Sequence, residues 1–167
     1  MFNIDIFEEN GKFGIAEYNS DGSLLGIKVK PQYDRIYDLM YDAQNNGTAI
    51  AQSGDKFFLI NLDGRPISEE YDEMKHFESG MCGVKTGGTW GYIDETGKVI
   101  IPPRYENAGS FLDGTAIVEF EGKKWIINEK GEFLTDQGYD SILPLDEDKH
   151  RFIVTYDGNE KTITIRI

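Results

Sequence analysis

The 167-residue sequence contains very little cysteine and histidine. Cys82 is the only cysteine, so the chain can form no intrachain disulfide and no cysteine-based zinc site. The two histidines, His76 and His150, lack the spacing of a metal-binding motif, and no nucleophile–base or phosphate-binding motif occurs. These absences predict a protein that is not an enzyme and that holds no metal and no cofactor.

Basic residues are also scarce, with 17 Lys and Arg against 30 Asp and Glu and a formal net charge of −13. Such a surface repels the phosphates of nucleic acids and anionic lipids, so we expect neither as a partner. No apolar run has the length of a signal peptide core or a membrane span. We therefore expect a cytoplasmic protein and, if it binds another protein, a basic partner. The oligomeric state stays open.

The sequence does contain one pattern that is repeated four times. Each copy starts with an aromatic residue after Lys or Thr, passes through a glycine turn, and ends in a Tyr followed by an acid. This near-constant period predicts a stack or ring of small units that bury apolar surface against one another. The starting aromatic residues are Phe13, Phe57, Trp90 and Trp125, and the closing pairs are Tyr33–Asp34, Tyr71–Asp72, Tyr105–Glu106 and Tyr139–Asp140.

The third copy reads as three short strands. Gly87–Gly88 is typical of a hairpin turn, and the aromatic and β-branched residues after Trp90 suit a strand. Partial copies at both ends bring the total to five hairpins. The predicted fold class is all-β, with repeated hairpins or three-stranded units in one domain over residues 1–167. The units could form an open solenoid-like stack or a closed propeller-like ring, and their unequal lengths favour the open stack.

The connection after Tyr33 is longer than the others. Within residues 35–46, apolar side chains recur at the i, i+3, i+4, i+7 spacing of an amphipathic helix, namely Ile36, Leu39, Met40 and Ala43. We therefore expect a short helix here, which could cap the array or form a binding feature.

The repeated aromatic residues allow two interpretations, an exposed ligand-binding ladder or a stacked core. We expect the core, with Trp90 and Trp125 buried at equivalent positions, because a repeat array needs one large apolar residue per unit. The repeated acids also allow two interpretations. They could contact a basic partner, or they could hold turns by accepting backbone N–H groups. These candidate partner-binding residues are Asp34, Asp72, Glu106 and Asp140.

The segment from Gly88 to Glu106, with Trp90–Gly91 at its start, resembles the WG (or KWG) repeat of bacterial proteins. The resemblance is strong over residues 80–140, and Trp90–Gly91 is the one intact Trp–Gly pair. It implies a bacterial β-rich repeat protein without a common enzymatic activity, and an interaction or scaffolding role. A small acidic inhibitor, such as an immunity protein that binds a basic toxin, is the alternative. A carboxylate-based hydrolase is the third possibility.

Overall fold

The structure is a computed structural model that describes residues 2–42, 46–146 and 150–166. These residues form sixteen strands in five antiparallel sheets, and none of them lies in a helix that could cross a membrane. The strands are β1 (Phe2–Glu9), β2 (Lys12–Asn19), β3 (Leu24–Tyr33), β4 (Arg35–Tyr41), β5 (Gly47–Ser53), β6 (Lys56–Asn61), β7 (Glu73–Glu78), β8 (Met81–Thr86), β9 (Thr89–Asp94), β10 (Val99–Tyr105), β11 (Asn107–Ala108), β12 (Thr115–Phe120), β13 (Lys123–Asn128), β14 (Ser141–Asp146), β15 (Arg151–Tyr156) and β16 (Asn159–Thr164).

The chain divides into two compact units, Met1–Met74 and Lys75–Ile167. The first unit holds the sheets β1-β2-β3 and β4-β5-β6. Apolar side chains from both sheets form its core, because alternate residues of each strand point to the same face. The buried members of this core are Ile4, Ile15, Val29, Tyr33, Ile36, Ala49, Ala51, Phe58, Ile60 and Leu62.

The second unit holds the sheets β10-β9-β8-β7, β11-β12-β13 and β14-β15-β16. One core cluster joins the sheet of β8–β10 to that of β11–β13, and includes Trp90, Tyr105 and Phe111. A second cluster joins β13 to the last sheet and includes Ile126 and Tyr139. The five hairpins and the all-β class predicted from the sequence are thereby confirmed.

The hairpin turns follow from glycine at positions that need a positive φ. Glu121 and Gly122 have φ values of 52° and 70°, and Asp157 and Gly158 have 48° and 74°. Two consecutive residues with positive φ define the turn whose twist matches that of paired strands. Glycine therefore fixes the register of each hairpin.

The helix expected within residues 35–46 is wrong. Residues Arg35–Tyr41 form the strand β4, and a bulge lies between Tyr37 and Met40. Asp38 takes the positive φ of 51° within that bulge. The extra residue shifts the alternation of the strand, so apolar residues fall at a spacing that resembles a helical one. Ala43 lies outside the described residues.

The glycine of the Trp–Gly pair is required by the strand beside it. A Cβ on Gly91 would lie 2.4 Å from the carbonyl oxygen of Ile101 and 2.6 Å from the nitrogen of Pro103. A Cβ on Gly14 would likewise lie 2.4 Å from the carbonyl oxygen of Val29. In both places the third strand, β10 or β3, bulges towards the glycine and carries a proline.

The second and fourth copies have larger residues at this position, Phe58 and Trp125. Their third segments are reduced to isolated bridges, one of them between Ile60 and Pro66. Without the bulged third strand these copies leave room for a side chain. The degenerate motifs of these copies thus have a structural cause.

Candidate functional site

In each copy, the repeated Tyr pairs with a residue at the start of the second strand of the hairpin. Tyr33 pairs with Phe13, Tyr71 with Phe57, and Tyr105 with Trp90. All four repeated Tyr residues are buried, as the core interpretation predicted. The fourth copy departs in one respect, because Tyr139 pairs with Lys124 instead of Trp125.

This pairing corrects the expected equivalence of the two tryptophans. Trp90 is 6% exposed in the core of the second unit, whereas Trp125 is only partly buried. Lys124 is therefore the structural equivalent of Trp90, and Trp125 lies one residue later. Because successive side chains of a strand point to opposite faces, Trp125 lies on the other face of its sheet from the position equivalent to Trp90. Trp125 packs against Phe133 with the rings tilted by 38° and 4.4 Å between ring centroids, and its indole N–H donates to the carbonyl of Phe120.

The Tyr hydroxyl reaches the following copy. The Tyr33 hydroxyl donates to the carbonyl of Gly64 at 2.8 Å, and the Tyr105 hydroxyl lies 3.4 Å from the carbonyl of Gly131. Both glycines occupy turns and have positive φ. In the first and third copies the Tyr therefore ties one copy to the next, whereas the Tyr139 hydroxyl lies 3.4 Å from Oδ1 of Asp136 in its own copy.

The acid after each Tyr is joined to a lysine and to a hairpin turn. Asp34 accepts a 2.6 Å hydrogen bond from the Lys12 ammonium and a 2.7 Å hydrogen bond from the N–H of Gly54. Asp140 repeats this arrangement with the Lys123 ammonium and the N–H of Asp157. We call such an acid with its lysine and turn amide a turn latch.

The other two repeated acids share members of the turn latch, since Asp72 has its lysine and Glu106 has its turn amide. Asp72 accepts a 2.5 Å hydrogen bond from the Lys56 ammonium. Glu106 accepts from the N–H of Gly122 through both carboxylate oxygens, at 3.2 and 3.1 Å. Thr89 stands where the other copies have the lysine, and no lysine or arginine of the described residues forms an ion pair with Glu106. These hydrogen bonds fit the interpretation that the acids hold turns. Contact between these acids and a partner stays a prediction.

The turn latch changes the acidity of its carboxyl group. The Lys12 ammonium, followed by the N–H of Gly54, lowers the pKa of Asp34. The Lys123 ammonium and then the N–H of Asp157 lower the pKa of Asp140 in the same way. Since a lowered pKa means that the native state prefers the ionised carboxyl, each turn latch stabilises the fold when its acid is charged.

We expect the acid sensitivity of the fold to depend on Asp140. An Asp in the unfolded chain has a pKa of about 3.9, so the latch contributes its full stability above that pH and loses it as the pH falls through the lower native pKa. Asp140→Asn should therefore reduce the loss of unfolding free energy between about pH 5 and about pH 2. Urea titrations across this range test it, with the exposed turn residue Asp63→Asn as control. Equal pH slopes for wild type and Asp140→Asn would contradict the turn latch.

A cavity lies in the second unit, at residues that sequence reasoning did not single out. Its volume is ≈ 270 Å³, and it lies between the loop that precedes β12 and the last sheet. Leu112, Ile117, Pro144 and Phe152 supply apolar lining, and Glu78 supplies a carboxyl group. These residues are far apart in sequence and follow no common spacing, so no local signal could have found them.

Among residues 2–42, 46–146 and 150–166, no group of three or more His, Cys, Asp or Glu is placed to hold a metal ion. Each repeated acid accepts a hydrogen bond from a lysine or a turn amide. The structure thus offers turn-bound carboxylates and an apolar cavity, which are features suited to binding.

Two adjacent segments, residues 57–90 and 90–125, match the family model described as the WG containing repeat. Residues 57–125 are two WG repeats. The resemblance stated from the sequence is thereby confirmed over the two central copies. Both matches begin at the aromatic residue that pairs with the repeated Tyr, Phe57 and then Trp90. No curated protein matches this WG-repeat chain.

Solved structures that match this chain include Hsv2 from two Kluyveromyces species. The K. marxianus protein is 10% identical with a TM-score of 0.50, and the match covers 98% of this chain and 60% of Hsv2. The K. lactis protein is 11% identical with a TM-score of 0.48, covering 98% and 62%. A streptogramin B lyase structure is 12% identical with a TM-score of 0.37, covering 99% and 74%. The WG-repeat chain thus spans about three fifths of Hsv2, and shares the fold of a β-propeller-like protein.

Proposed function

We propose that this WG-repeat protein is a non-catalytic binding module whose partner is a protein with a basic surface. The WG repeats and the β-propeller-like fold support a repeat-based binding or scaffolding role. The observation that carries the choice of partner is the excess of acidic side chains, which gives the chain a formal net charge of −13.

The acid excess is most concentrated in the first unit. Residues 1–74 contain 14 Asp and Glu but only 6 Lys and Arg. Two of these six bases, Lys12 and Lys56, pair with the latch acids Asp34 and Asp72, and Lys28 lies 3.8 Å from Glu17. Ion pairing inside the unit cannot cancel an excess of this size. The unit therefore carries a negative field that attracts a basic protein and speeds its association.

The repeated acids contribute unequally to this proposal. Asp34, Asp72 and Asp140 each lie beside a lysine, so their charge is balanced locally. Glu106 forms no such ion pair among the described residues and is exposed. We therefore assign Glu106 the larger part in partner contact, and the other three a larger part in stabilising the fold.

A partner captured from a bacterial lysate should associate more slowly as salt is added. Charge steering acts over the Debye length, which falls from about 30 Å at 0.01 M salt to about 10 Å at 0.1 M. Glu106→Gln should lower the association rate and leave the dissociation rate nearly unchanged, because exposed rim charges act on encounter. Glu129→Gln, which removes an exposed acid at a different turn, is the matched control.

Stopped-flow or surface-capture kinetics at several salt concentrations give both rates. An association rate that is indifferent to salt would contradict the electrostatic part of the proposal. A captured partner with an acidic surface would contradict the choice of partner.

An inhibitor that neutralises a basic toxin is the second candidate. The same excess of acid on a chain of 167 residues favours it, since a compact acidic surface can cover a basic active site. A toxin gene beside the gene for this chain, and loss of that toxin's activity on mixing, would distinguish the inhibitor from a general scaffold.

A further inference from the structure

We infer that the cavity of the second unit receives one large apolar side chain that is flanked by Lys or Arg in the partner. This inference rests on the proposed binding function and gives it a location. The cavity of ≈ 270 Å³ has mainly apolar walls, among them Leu112, Ile117, Pro144 and Phe152. For comparison, an apolar protein cavity of about 150 Å³ binds benzene. An aromatic side chain of the partner would therefore fit.

The edge of the cavity is held by hydrogen bonds. The backbone N–H of Leu112 donates to the carbonyl of Thr115 at 2.8 Å, and the N–H of Thr115 donates back at 3.0 Å. The Thr115 hydroxyl also donates to the Leu112 carbonyl at 3.1 Å. Phe111, the preceding residue, is buried against Tyr92 with 4.8 Å between ring centroids. Leu112 is thus fixed in the turn although its side chain is 51% exposed.

A second hydrogen bond joins the two sides of the cavity. The His150 ring, at the start of the last hairpin, places Nε2 2.6 Å from the carbonyl oxygen of Asp113. That carbonyl oxygen can only accept, so Nε2 is the donor. A cavity fixed on both sides needs little ordering when a ligand binds, which favours affinity.

Charge selects the residues that flank the apolar side chain. Glu78 lines the cavity, and the exposed side chain of Asp113 follows Leu112 directly. An arginine beside the inserted ring would meet these carboxylates, whereas a glutamate there would be repelled. The excess of acid over the whole chain acts in the same direction. The occupant is therefore an apolar anchor in a basic segment.

Titration of the full chain with blocked tripeptides tests this inference. The probe is Ac-Arg-Phe-Arg-NH₂, and the two comparison peptides are Ac-Arg-Ala-Arg-NH₂ and Ac-Glu-Phe-Glu-NH₂. We expect the probe to shift the amide NMR signals of Leu112, Ile117 and Phe152. We also expect it to bind at least about tenfold more tightly than either comparison peptide. Equal binding of all three peptides, shifts at other residues, or no shifts would each overturn the inference.

Two variants locate the effect within the cavity. Ser110→Phe places a ring at an exposed residue of the lining, and Glu78→Gln removes the carboxylate without changing its shape. Both should weaken binding of the probe, whereas Ser53→Phe at a hairpin turn of the first unit and Glu95→Gln should not. Unchanged binding by Glu78→Gln would overturn the charge selection even if Ser110→Phe failed to fold. Failure of the peptides while a basic protein still binds would contradict the cavity alone and leave the proposed function in place.

Discussion

Gly91→Ala should lower the free energy of unfolding by about 2–3 kcal/mol, the cost of forcing atoms into a packed site. The added Cβ would lie 2.4 Å from the carbonyl oxygen of Ile101, a distance that real Cβ atoms essentially never show. The neighbouring atoms belong to the backbone of β10, so a side-chain rotation cannot relieve the overlap. Relief would require movement of the bulged strand, including Pro103.

Urea denaturation of the variant gives the change in unfolding free energy. Gly26→Ala is the matched control, because Gly26 also lies in a strand but has open space where a Cβ would be added. Since alanine restricts the unfolded chain more than glycine, this control should be neutral or slightly stabilising. Equal effects of the two substitutions would show that β10 does not approach Gly91 as described.

Trp90→Ala should lower the free energy of unfolding by about 3–5 kcal/mol, the usual cost of removing a buried aromatic side chain. Trp90 is 6% exposed and packs in the core that joins the sheets of the second unit. Trp125→Ala should cost less, about 1–2 kcal/mol, because Trp125 is only partly buried against this core and keeps partial contact with water.

Fluorescence of single-tryptophan proteins separates the two sites independently of stability. The variant Trp125→Phe leaves Trp90, whose emission should be blue-shifted and poorly quenched by acrylamide. The variant Trp90→Phe leaves Trp125, which should be quenched more readily. Equal quenching of the two tryptophans, together with equal losses of stability, would contradict this difference. It would support the expectation from the sequence that Trp90 and Trp125 are buried at equivalent positions.

The repeat pattern allowed the sequence to predict the fold class, the five hairpins and the burial of the repeated Tyr. The turn glycines and the period of the Tyr–acid pairs are local signals, and they act through backbone geometry and core packing. The one-residue shift at Trp125 was missed, because both Lys124 and Trp125 follow a lysine in the sequence. Only the pairing of Tyr139 with Lys124 fixes that register.

The error at residues 35–46 has a different cause. A β-bulge interrupts the alternation of β4, and a short apolar pattern across a bulge cannot be distinguished from one turn of helix. The cavity was not predictable either, because Glu78, Leu112 and Phe152 meet only through the packing of separate sheets. The candidate acids, in contrast, were found by their period, and the lysines and turn amides from which they accept hydrogen bonds explain that period.

The common register of the four copies depends on one repeated contact, in which the Tyr after each third segment pairs with the residue at the start of the second strand of the hairpin. Amide hydrogen exchange measured by NMR tests it most directly in the second and fourth copies. There the N–H groups of Phe57 and Lys124 donate to the carbonyls of Tyr71 and Tyr139, at 2.9 and 2.8 Å. We expect slow exchange at both amides, with Lys124 as protected as Phe57. Rapid exchange at Lys124 while Phe57 stays protected would contradict the common register of the copies.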